Sequence, residues 1–238
     1  MPDFNFNPFL EYAEKNNISI PENAVENLTL YGNLLLEWNE KINLTAIKDP
    51  DEIVVKHFID SLSLLKIIDP KDGESLIDIG TGAGFPGMVI KILRPLVKVT
   101  LLDGHAKRFI FLEDLQNQLG IKAENLHIRA ELAAKEAKYR EQFDYATARA
   151  VARLNTLSEY CLPFVKQNGK FIAMKGPGAE EELIEAKKAI SILGGDTPSL
   201  IKEELPMENT RNFILTKKIK PTGEKYPRAS AKISKNPL

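Results

Sequence analysis

Three glycines at alternate positions form the segment of this 238-residue chain with the clearest chemical meaning. Gly80, Gly82 and Gly84 directly follow the apolar run Leu76–Ile79, and the acidic residue Asp103 closes the next apolar run. Glycine lacks a Cβ atom and adopts positive φ readily, so the backbone of a glycine loop can touch a ligand. A carboxylate about 20 residues further on is placed to accept hydrogen bonds from ribose hydroxyls. Together these features predict a nucleotide-like cofactor at the carboxyl edge of an α/β sheet.

Further polar groups should meet at the same edge. Asp78 lies near the end of the first apolar run, Arg129–Glu131 follow the third, and Arg149 follows the fourth. Pro86 suits the first turn of the next helix, whose free N–H groups are placed to receive a carboxylate. A purely structural role for these residues stays open at this point. A glycine triplet alone can form a tight turn without binding a ligand, and Arg149 can be a salt-bridge residue.

The elements that must position these residues alternate along the chain. From Ser75 onward, short β-rich runs alternate with helical stretches, which predicts βαβ units in an α/β fold with a mostly parallel sheet. The predicted strands are Leu76–Ile79, Val97–Leu102, Leu126–Ile128, Phe143–Ala148, Lys170–Met174, and a closing antiparallel pair, Ser199–Leu205 and Asn212–Lys218. The predicted helices between them are Met88–Leu93, Lys107–Leu119, Leu132–Lys138, Asn155–Val165 and Glu180–Leu193.

The first seventy residues have a helical pattern instead. One apolar stripe, typical of a core-facing helix, consists of Leu28, Tyr31, Leu35, Trp38 and Ile42. A second helix should begin after Asp49 as N-cap, with Pro50 in its first turn and Glu52 completing a capping box. It should run to about Ile68 and bury Val54, Phe58, Leu62 and Leu65. We expect a helical extension over 1–70, a cofactor-binding core over 71–219 and a tail over 220–238.

Charge is distributed unevenly along the chain, although its net value is only −1. Residues 217–238 hold seven basic residues and one acidic residue, a local charge of +6 that leaves −7 for the rest. A basic arm on an acidic body suggests a polyanionic partner. A solvated, frayed terminus would have the same composition.

Several classes of protein are excluded by what the sequence lacks. No window approaches about 18 uninterrupted apolar residues, and residues 1–10 do not resemble a secretion signal, so we expect a soluble, cytoplasmic protein with no membrane partner. The single Cys161 rules out an internal disulfide and a cysteine-based zinc cluster, and its helical context favours a core role. His105 and His127 lack metal-like partners, so they should be surface residues and no metal is expected. His57, near Asp60, is either a hydrogen-bonded scaffold or a substrate contact.

The glycine spacing also departs from the dinucleotide fingerprint Gly-x-Gly-x-x-Gly, because the third glycine comes one residue early and Asp78 precedes the loop. In this respect the segment resembles the S-adenosylmethionine (SAM) pocket of class I methyltransferases. That resemblance implies a Rossmann-like, mostly parallel seven-stranded sheet. A nicotinamide-dependent dehydrogenase becomes the weaker enzyme hypothesis.

A longer, ordered set of motifs resembles one methyltransferase family, the RsmG type, also called glucose-inhibited division protein B. The motifs are Trp38–Thr45, His57–Leu62, Gly80–Gly87, Lys107-Arg108, Arg149–Ala152 and Tyr226–Arg228. The family methylates guanine N7 in 16S ribosomal RNA of the small subunit, so the resemblance implies this activity, SAM as cofactor and the ribosomal subunit or its RNA as partner. No obligate protein partner is implied, and a monomer is expected.

The resemblance also assigns residues to the site. The family's SAM contacts fall on Gly80, Phe85, Ala130, Glu131 and Arg149, with Gly82 and Gly84 completing the loop. Asp103 should hold the ribose, and Glu131 with the Ala130 backbone should frame the adenine. The candidate RNA contacts are Lys107, Arg108, Lys175, Tyr226, Arg228 and Lys235.

Methylation of guanine N7 makes few demands on catalytic residues. N7 already presents a lone pair, so alignment and removal of water can lower the barrier without a base or nucleophile. No residue is a certain catalyst, and Arg149 is the one candidate. Amino-group methylases of nucleic acids often carry an Asn/Asp-Pro-Pro-aromatic motif after the fourth strand. This chain has Arg149–Ala152 at that position instead. A small-molecule methyltransferase and a non-catalytic ribosome-assembly factor remain alternatives.

The C-terminal tail departs from the family. Ala229–Ser234 replaces a turn that is common in the family, so the resemblance does not predict the path of the tail.

Overall fold

A computed structural model of the protein describes residues 2–238. Its seven strands are β1 (Ser75–Ile79), β2 (Lys98–Asp103), β3 (Glu124–His127), β4 (Phe143–Arg149), β5 (Val165–Lys175), β6 (Ser199–Leu205) and β7 (Asn209–Lys217). They form one sheet in the order β3-β2-β1-β4-β5-β7-β6. Strands β1 to β5 are parallel, whereas β7 is antiparallel to both β5 and β6. The predicted α/β fold with a closing antiparallel pair is confirmed.

Helices cover both faces of the sheet. They are α1 (Asn7–Lys15), α2 (Ala24–Asn39), α3 (Pro50–Ile53), α4 (Asp60–Leu62), α5 (Leu64–Ile67), α6 (Gly87–Leu93), α7 (Ala106–Leu119), α8 (Ala130–Ala133), α9 (Leu154–Cys161), α10 (Ala179–Ile192) and α11 (Ser230–Lys235). Neighbouring strand residues such as Leu76 and Ile77 belong to different hydrophobic clusters, because successive side chains of a strand point to opposite faces. One cluster joins the sheet to α1, α2, α6 and α7, and the other joins it to α8, α9 and α10. Within residues 2–238, no helix combines the length and apolar character needed to span a bilayer.

The predicted helix after Asp49 is present but not uniform. Asp49 caps it as expected, since its carboxylate accepts a hydrogen bond from the Glu52 N–H at 3.0 Å. The other half of the capping box is absent, because the Glu52 carboxylate pairs with Lys56 at 2.6 Å instead. A π-helical stretch, Val54–Ile59, joins α3 to α4, and such widened turns often occur at functional sites. The four side chains predicted to face inward are all buried: Val54, Phe58, Leu62 and Leu65.

Three sequence predictions of secondary structure need correction. Strand β5 begins at Val165, earlier than predicted, because Val165 pairs with Phe143 across a register shift. The helix predicted over Asn155–Val165 therefore ends earlier, at Cys161. The helix predicted over Leu132–Lys138 is wrong, since α8 ends at Ala133 and consecutive turns follow. Tertiary contacts override helix propensity there. The Tyr139 hydroxyl bonds to Glu124, and Arg140 donates to carbonyl groups of the C-terminal segment.

The C-terminal segment is folded onto the body and is not a free arm. Arg228 forms a bidentate ion pair with Glu159, whose side chain is 1% exposed. Lys218 is fully buried and donates to Glu141 and to two carbonyl groups. Helix α11, which the sequence did not predict, buries Ile233 completely. Two of the basic residues in this segment, Lys218 and Arg228, therefore hold the fold together.

Candidate active site

A cavity of about 700 Å³ opens at the carboxyl edge of β1, β2 and β4, a volume within the range of small-molecule sites. We call one side the loop wall, formed by Gly80–Ala83, Asp103–His105 and Arg129–Glu131. We call the other side the helix wall, formed by Leu44, Thr45, His57, Phe85 and Arg149. The C-terminal helix contributes Ser234 to the same cavity.

The glycine loop has the backbone that the sequence predicted. Gly80, Gly82 and Gly84 have φ values of +71°, +61° and +96°. A Cβ atom on Gly80 would lie 2.7 Å from Val151, and one on Gly84 would lie 2.6 Å from the Tyr31 hydroxyl. Only Gly82 of the three has open space beside its α carbon. Gly82 can therefore touch a ligand, whereas Gly84 lies behind the cavity and packs on α2.

Asp78 anchors the glycine loop through hydrogen bonds of its buried carboxylate. Its Oδ2 atom accepts hydrogen bonds from the Thr81 hydroxyl at 2.6 Å and from the Gly87 N–H at 2.9 Å. Burial raises the pKa of Asp78 to about 6 in spite of these bonds. The sequence analysis expected the first N–H groups of α6 to receive a carboxylate, and Asp78 of the same chain supplies it. The bond joins the end of β1 to the start of α6.

Asp103 is the most heavily bonded carboxylate of the loop wall. Its Oδ2 accepts from the Gly82 N–H at 3.0 Å and from Arg108 at 2.6 Å. Its Oδ1 accepts from the N–H of His105 at 2.9 Å and lies 3.0 Å from the His105 ring Nδ1. Burial alone would raise the pKa of Asp103, but these hydrogen bonds outweigh it and hold the pKa below its ordinary value. The carboxylate is therefore ionised and directed at the cavity.

The start of α8 closes the far end of the loop wall. Ala130 and Glu131 are both buried, and the Glu131 carboxylate accepts a hydrogen bond from Arg129 Nε at 2.8 Å. Arg129 also donates to the Ser230 hydroxyl of α11 at 2.9 Å. The C-terminal helix thereby contacts the side chain that bonds to Glu131.

The helix wall centres on a stack of rings. His57 lies over Phe85 with ring centroids 4.5 Å apart, and Phe85 is parallel to Tyr31 at 5.0 Å. The Tyr31 hydroxyl donates to the carbonyl group of Ala83, which ties α2 to the glycine loop. His57 Nε2 is 2.8 Å from the Thr45 hydroxyl. Burial, followed by the charge of Arg149, lowers the pKa of His57 to about 3, so the imidazole is neutral and a very weak base.

Arg149 is fixed by a carboxylate from the N-terminal helices. Its Nη1 donates to Asp60 Oδ2 at 2.8 Å and to the Lys56 carbonyl group at 3.1 Å. Its guanidinium carbon lies 5.1 Å from the centre of the Phe85 ring. The other oxygen of Asp60 accepts from Arg211 Nε at 2.5 Å, and Asp60 is 1% exposed. One buried carboxylate thus joins the helices, β4 and β7 behind the cavity.

The structure brings together the residues expected to hold a cofactor. Gly80, Gly82, Phe85, Asp103, Ala130, Glu131 and Arg149 all line the one cavity. Gly84 supports this lining from behind. Within residues 2–238, no three His, Cys, Asp or Glu side chains come together as a metal site would require. Cys161, expected to lie in the core, is fully buried in α9.

The expected RNA contacts are scattered. Lys107 and Lys235 are exposed, and Arg108 lies in the cavity against Asp103. Lys175 is buried and donates to the Ala152 carbonyl group at 2.7 Å. Tyr226 is also buried, and Arg228 is held by Glu159.

Sequence reasoning missed several residues of the cavity. His105 has an exposed side chain, as expected, yet it lines the cavity and contacts Asp103. Its position two residues after Asp103 could have predicted that His105 lies at the cavity. Thr45 could have been found through the Trp38–Thr45 motif. Ser234 and Tyr160 gave no signal in the sequence, because their place depends on how the tail packs.

The fold and the site define a class I SAM-dependent methyltransferase. A SAM-dependent O-methyltransferase from Thermotoga maritima has a similar structure, with a TM-score of 0.54 and 16% identity over 80% of this chain and 73% of that chain. A predicted O-methyltransferase from Agrobacterium tumefaciens has a TM-score of 0.52 and 16% identity over 63% of this chain and 76% of that chain. These similarities concern the fold alone.

The sequence narrows the class to one family. Residues 24–210 match the family described as rRNA small subunit methyltransferase G. A Ribosomal RNA small subunit methyltransferase G from Clostridium botulinum is 48% identical over 224 residues, covering 93% of this chain and 94% of the relative. One from Alkaliphilus metalliredigens is 48% identical over 221 residues, covering 92% of each. The chain belongs to this family, and the resemblance drawn from its motifs is confirmed.

Proposed function

We propose that the protein transfers a methyl group from SAM to N7 of a guanine in the 16S RNA of the small ribosomal subunit. Family membership and the names of the relatives support a methyltransferase for small-subunit ribosomal RNA. The acceptor atom is supported by His57, the imidazole of the helix wall, because its pKa of about 3 makes it too weak a base to remove a proton from an amino group. That single observation carries the choice of N7.

The loop wall fits SAM. Gly82 presents open backbone beside an ionised Asp103, as a ribose would require. Ala130 and Glu131 lie at the far end of the same wall, where the adenine would bind. When bound, SAM supplies a methyl group carried on a positively charged sulfur. Gly80 and Phe85 are the remaining residues that we propose to contact SAM.

The helix wall is then left for the acceptor base. It offers the Thr45 hydroxyl, the neutral His57 ring and the Arg149 guanidinium. A base with a pKa of about 3 is too weak to remove a proton from an amino group at neutral pH. The carboxylates that line the cavity, Asp103 and Glu131, are already bonded to Arg108 and Arg129. Guanine N7 attacks through an existing lone pair and loses no proton, so it is the acceptor that this wall can serve.

The chain contributes position and apolar surface. Phe85, Leu44, Ile79 and Leu102 line part of the cavity, and this surface would displace water from the reacting atoms once SAM and the base are bound. Arg149 is held rigidly by Asp60 and can orient the base or a phosphate. Reaching N7 requires a base that is unstacked or extruded from a helix. A ribosomal RNA substrate would place the reaction in the cytoplasm, and one chain contains the whole cavity, which is compatible with a monomer.

Transfer to an identified atom is the direct test. The protein is incubated with methyl-labelled SAM and with unmodified small subunits or their naked RNA. Chemical cleavage at N7-methylguanine then locates the label. We expect one labelled guanine in the 16S RNA, and an Asp103→Ala sample serves as the control for cofactor-dependent labelling.

Other outcomes would contradict the proposal in different ways. Label at an amino group or a ribose would exclude N7 as the acceptor. Binding to ribosomal particles without transfer from bound SAM would favour an assembly factor that keeps the fold. Labelling of small molecules but not of RNA would favour a small-molecule methyltransferase.

A further inference from the structure

All the hydrogen-bonding capacity of the Asp103 carboxylate is used within the chain. A carboxylate has about four acceptor positions, and four donors contact Asp103. Two of them are backbone N–H groups, from Gly82 at 3.0 Å and His105 at 2.9 Å. The other two are side-chain groups, Arg108 at 2.6 Å and the His105 ring at 3.0 Å. A ribose cannot bind this carboxylate unless some of these donors leave.

We propose that the Arg108 and His105 side chains occupy the positions of the two ribose hydroxyls and are exchanged for them when SAM binds. The inference rests on the proposed function, because it takes SAM as the ligand. Two side-chain donors leave, two ribose hydroxyls arrive, and the two backbone donors remain. The carboxylate keeps four partners in both states.

The side-chain donors are the ones that can leave. The Arg108 side chain is 36% exposed and that of His105 is 73% exposed, so water can replace Asp103 as their partner. Asp103, which is only 2% exposed, stays paired throughout, because the ribose hydroxyls replace the two side chains. The Gly82 N–H belongs to the glycine loop, which Asp78 and Tyr31 hold through hydrogen bonds, and the His105 N–H directly precedes α7. These two groups stay in place.

The exchange has a consequence for RNA. Arg108 lies in the first turn of α7 and lines the cavity, beside the exposed Lys107. Once its partner Asp103 binds the ribose, its guanidinium is free to bind a phosphate, for which its planar donor geometry is well suited. SAM binding would therefore strengthen RNA binding through Arg108. By thermodynamic reciprocity, RNA would strengthen SAM binding by the same factor.

A comparison of two ligands tests the exchange directly. The probes are S-adenosylhomocysteine and its 2′,3′-dideoxy analogue, which have the same charge and differ only in the ribose hydroxyls. Each is titrated calorimetrically into the wild-type protein, Arg108→Met and Lys107→Met. Methionine keeps the aliphatic part of each side chain, and Lys107 is the matched control because it is adjacent, exposed and not bonded to Asp103.

We expect Arg108→Met to bind S-adenosylhomocysteine about two- to fivefold more tightly than the wild type, because no competing donor must leave. The affinity for the dideoxy analogue should be the same in Arg108→Met as in the wild type. Lys107→Met should bind both ligands as the wild type does. Equal changes for both ligands would indicate a general charge effect and would overturn the exchange. Unchanged or weaker binding of S-adenosylhomocysteine to Arg108→Met would overturn it too.

The link to RNA has its own readout. Affinity for unmodified 16S RNA is measured with and without saturating S-adenosylhomocysteine. The ligand should tighten RNA binding to the wild type and to Lys107→Met but not to Arg108→Met. Equal tightening in all three proteins would refute the role of Arg108. Failure of the wild type to bind S-adenosylhomocysteine at all would instead refute the proposed function, so the two failures are distinct.

Discussion

The loop wall and the helix wall meet in one cavity but are organised in different ways. Most loop-wall contacts join residues close in sequence, such as Arg129 and Glu131, two positions apart, or Gly82 and Asp103, 21 apart, and the Arg129–Ser230 bond over 101 positions is the exception. Helix-wall contacts cross long stretches of chain, with Arg149 bonded to Asp60 over 89 positions. The loop wall therefore depends on local backbone geometry, and the helix wall depends on the packing of the N-terminal helices against the sheet.

The largest effect should come from removing the carboxylate behind the helix wall. Asp60→Ala leaves Arg149 and Arg211 without their buried partner, and breaking such a pair costs about 3–5 kcal/mol. Denaturant unfolding measures the loss. Asp49→Ala is the matched control on the same helical run, because it removes only an exposed cap worth about 1 kcal/mol. Equal losses for the two variants would show that Asp60 does not organise the helix wall.

A pair of glycine substitutions should separate backbone strain from packing in the loop. Both Gly84 and Gly82 have positive φ, but a Cβ atom meets the Tyr31 hydroxyl only at Gly84. We expect Gly84→Ala to lower the free energy of unfolding by about 2–4 kcal/mol. Gly82→Ala should lower it by only about 1 kcal/mol, the cost of the backbone conformation. Similar losses would mean that contact with α2 does not support the loop.

His57 should give the helix wall a pH dependence. Its pKa is about 3 in the folded protein and 6.5 in the unfolded chain, so between these values the unfolded state binds the extra proton. The free energy of unfolding should therefore fall as the pH is lowered through this window, by at most about 1.4 kcal/mol per pH unit.

Unfolding by urea at neutral pH and at pH of about 5 measures this contribution. His57→Gln should remove it, so that the difference in stability between wild type and variant shrinks with falling pH. His127→Gln, at an exposed position at the end of β3, is the control and should leave the slope as it is. A wild-type slope retained in His57→Gln would contradict the burial of a neutral imidazole.

The smallest effect tests how far the loop wall depends on distant residues. Ser230→Ala removes the hydroxyl group that bonds to Arg129 and leaves the buried Ile233 of α11 in place. Loss of one such hydrogen bond should weaken SAM binding about threefold. Combined Lys232→Ala and Lys235→Ala should leave SAM binding unchanged and reduce the salt dependence of RNA binding. The opposite pattern would assign α11 to RNA alone.

The same contrast explains what the sequence could predict. The conformations of Gly80 and Gly82 and the position of Asp103 follow from a strand, a turn and a second strand, all set by local sequence. Hydrophobic periodicity likewise predicted the buried face of the helical run after Asp49. These features depend on short-range geometry, which a single sequence expresses directly.

Long-range pairings left no comparable signal. No sequence pattern around Asp60 predicts its bonds to Arg149 and Arg211. The sequence analysis did identify Arg149 as a candidate site residue. The charge of the tail suggested a free arm, whereas Glu159 neutralises Arg228 inside the fold. Composition gives the charge of a segment but not its partners, which only tertiary structure determines.

Calorimetric titration of SAM into the wild-type protein and Asp103→Ala tests the central claim, that the loop wall holds the cofactor. NADH is titrated in parallel. We predict that the wild type binds SAM and not NADH, and that Asp103→Ala binds SAM at least about tenfold more weakly, because hydrogen bonds to a charged group are lost. Wild-type affinity for SAM in Asp103→Ala, or preferential binding of NADH, would contradict the account.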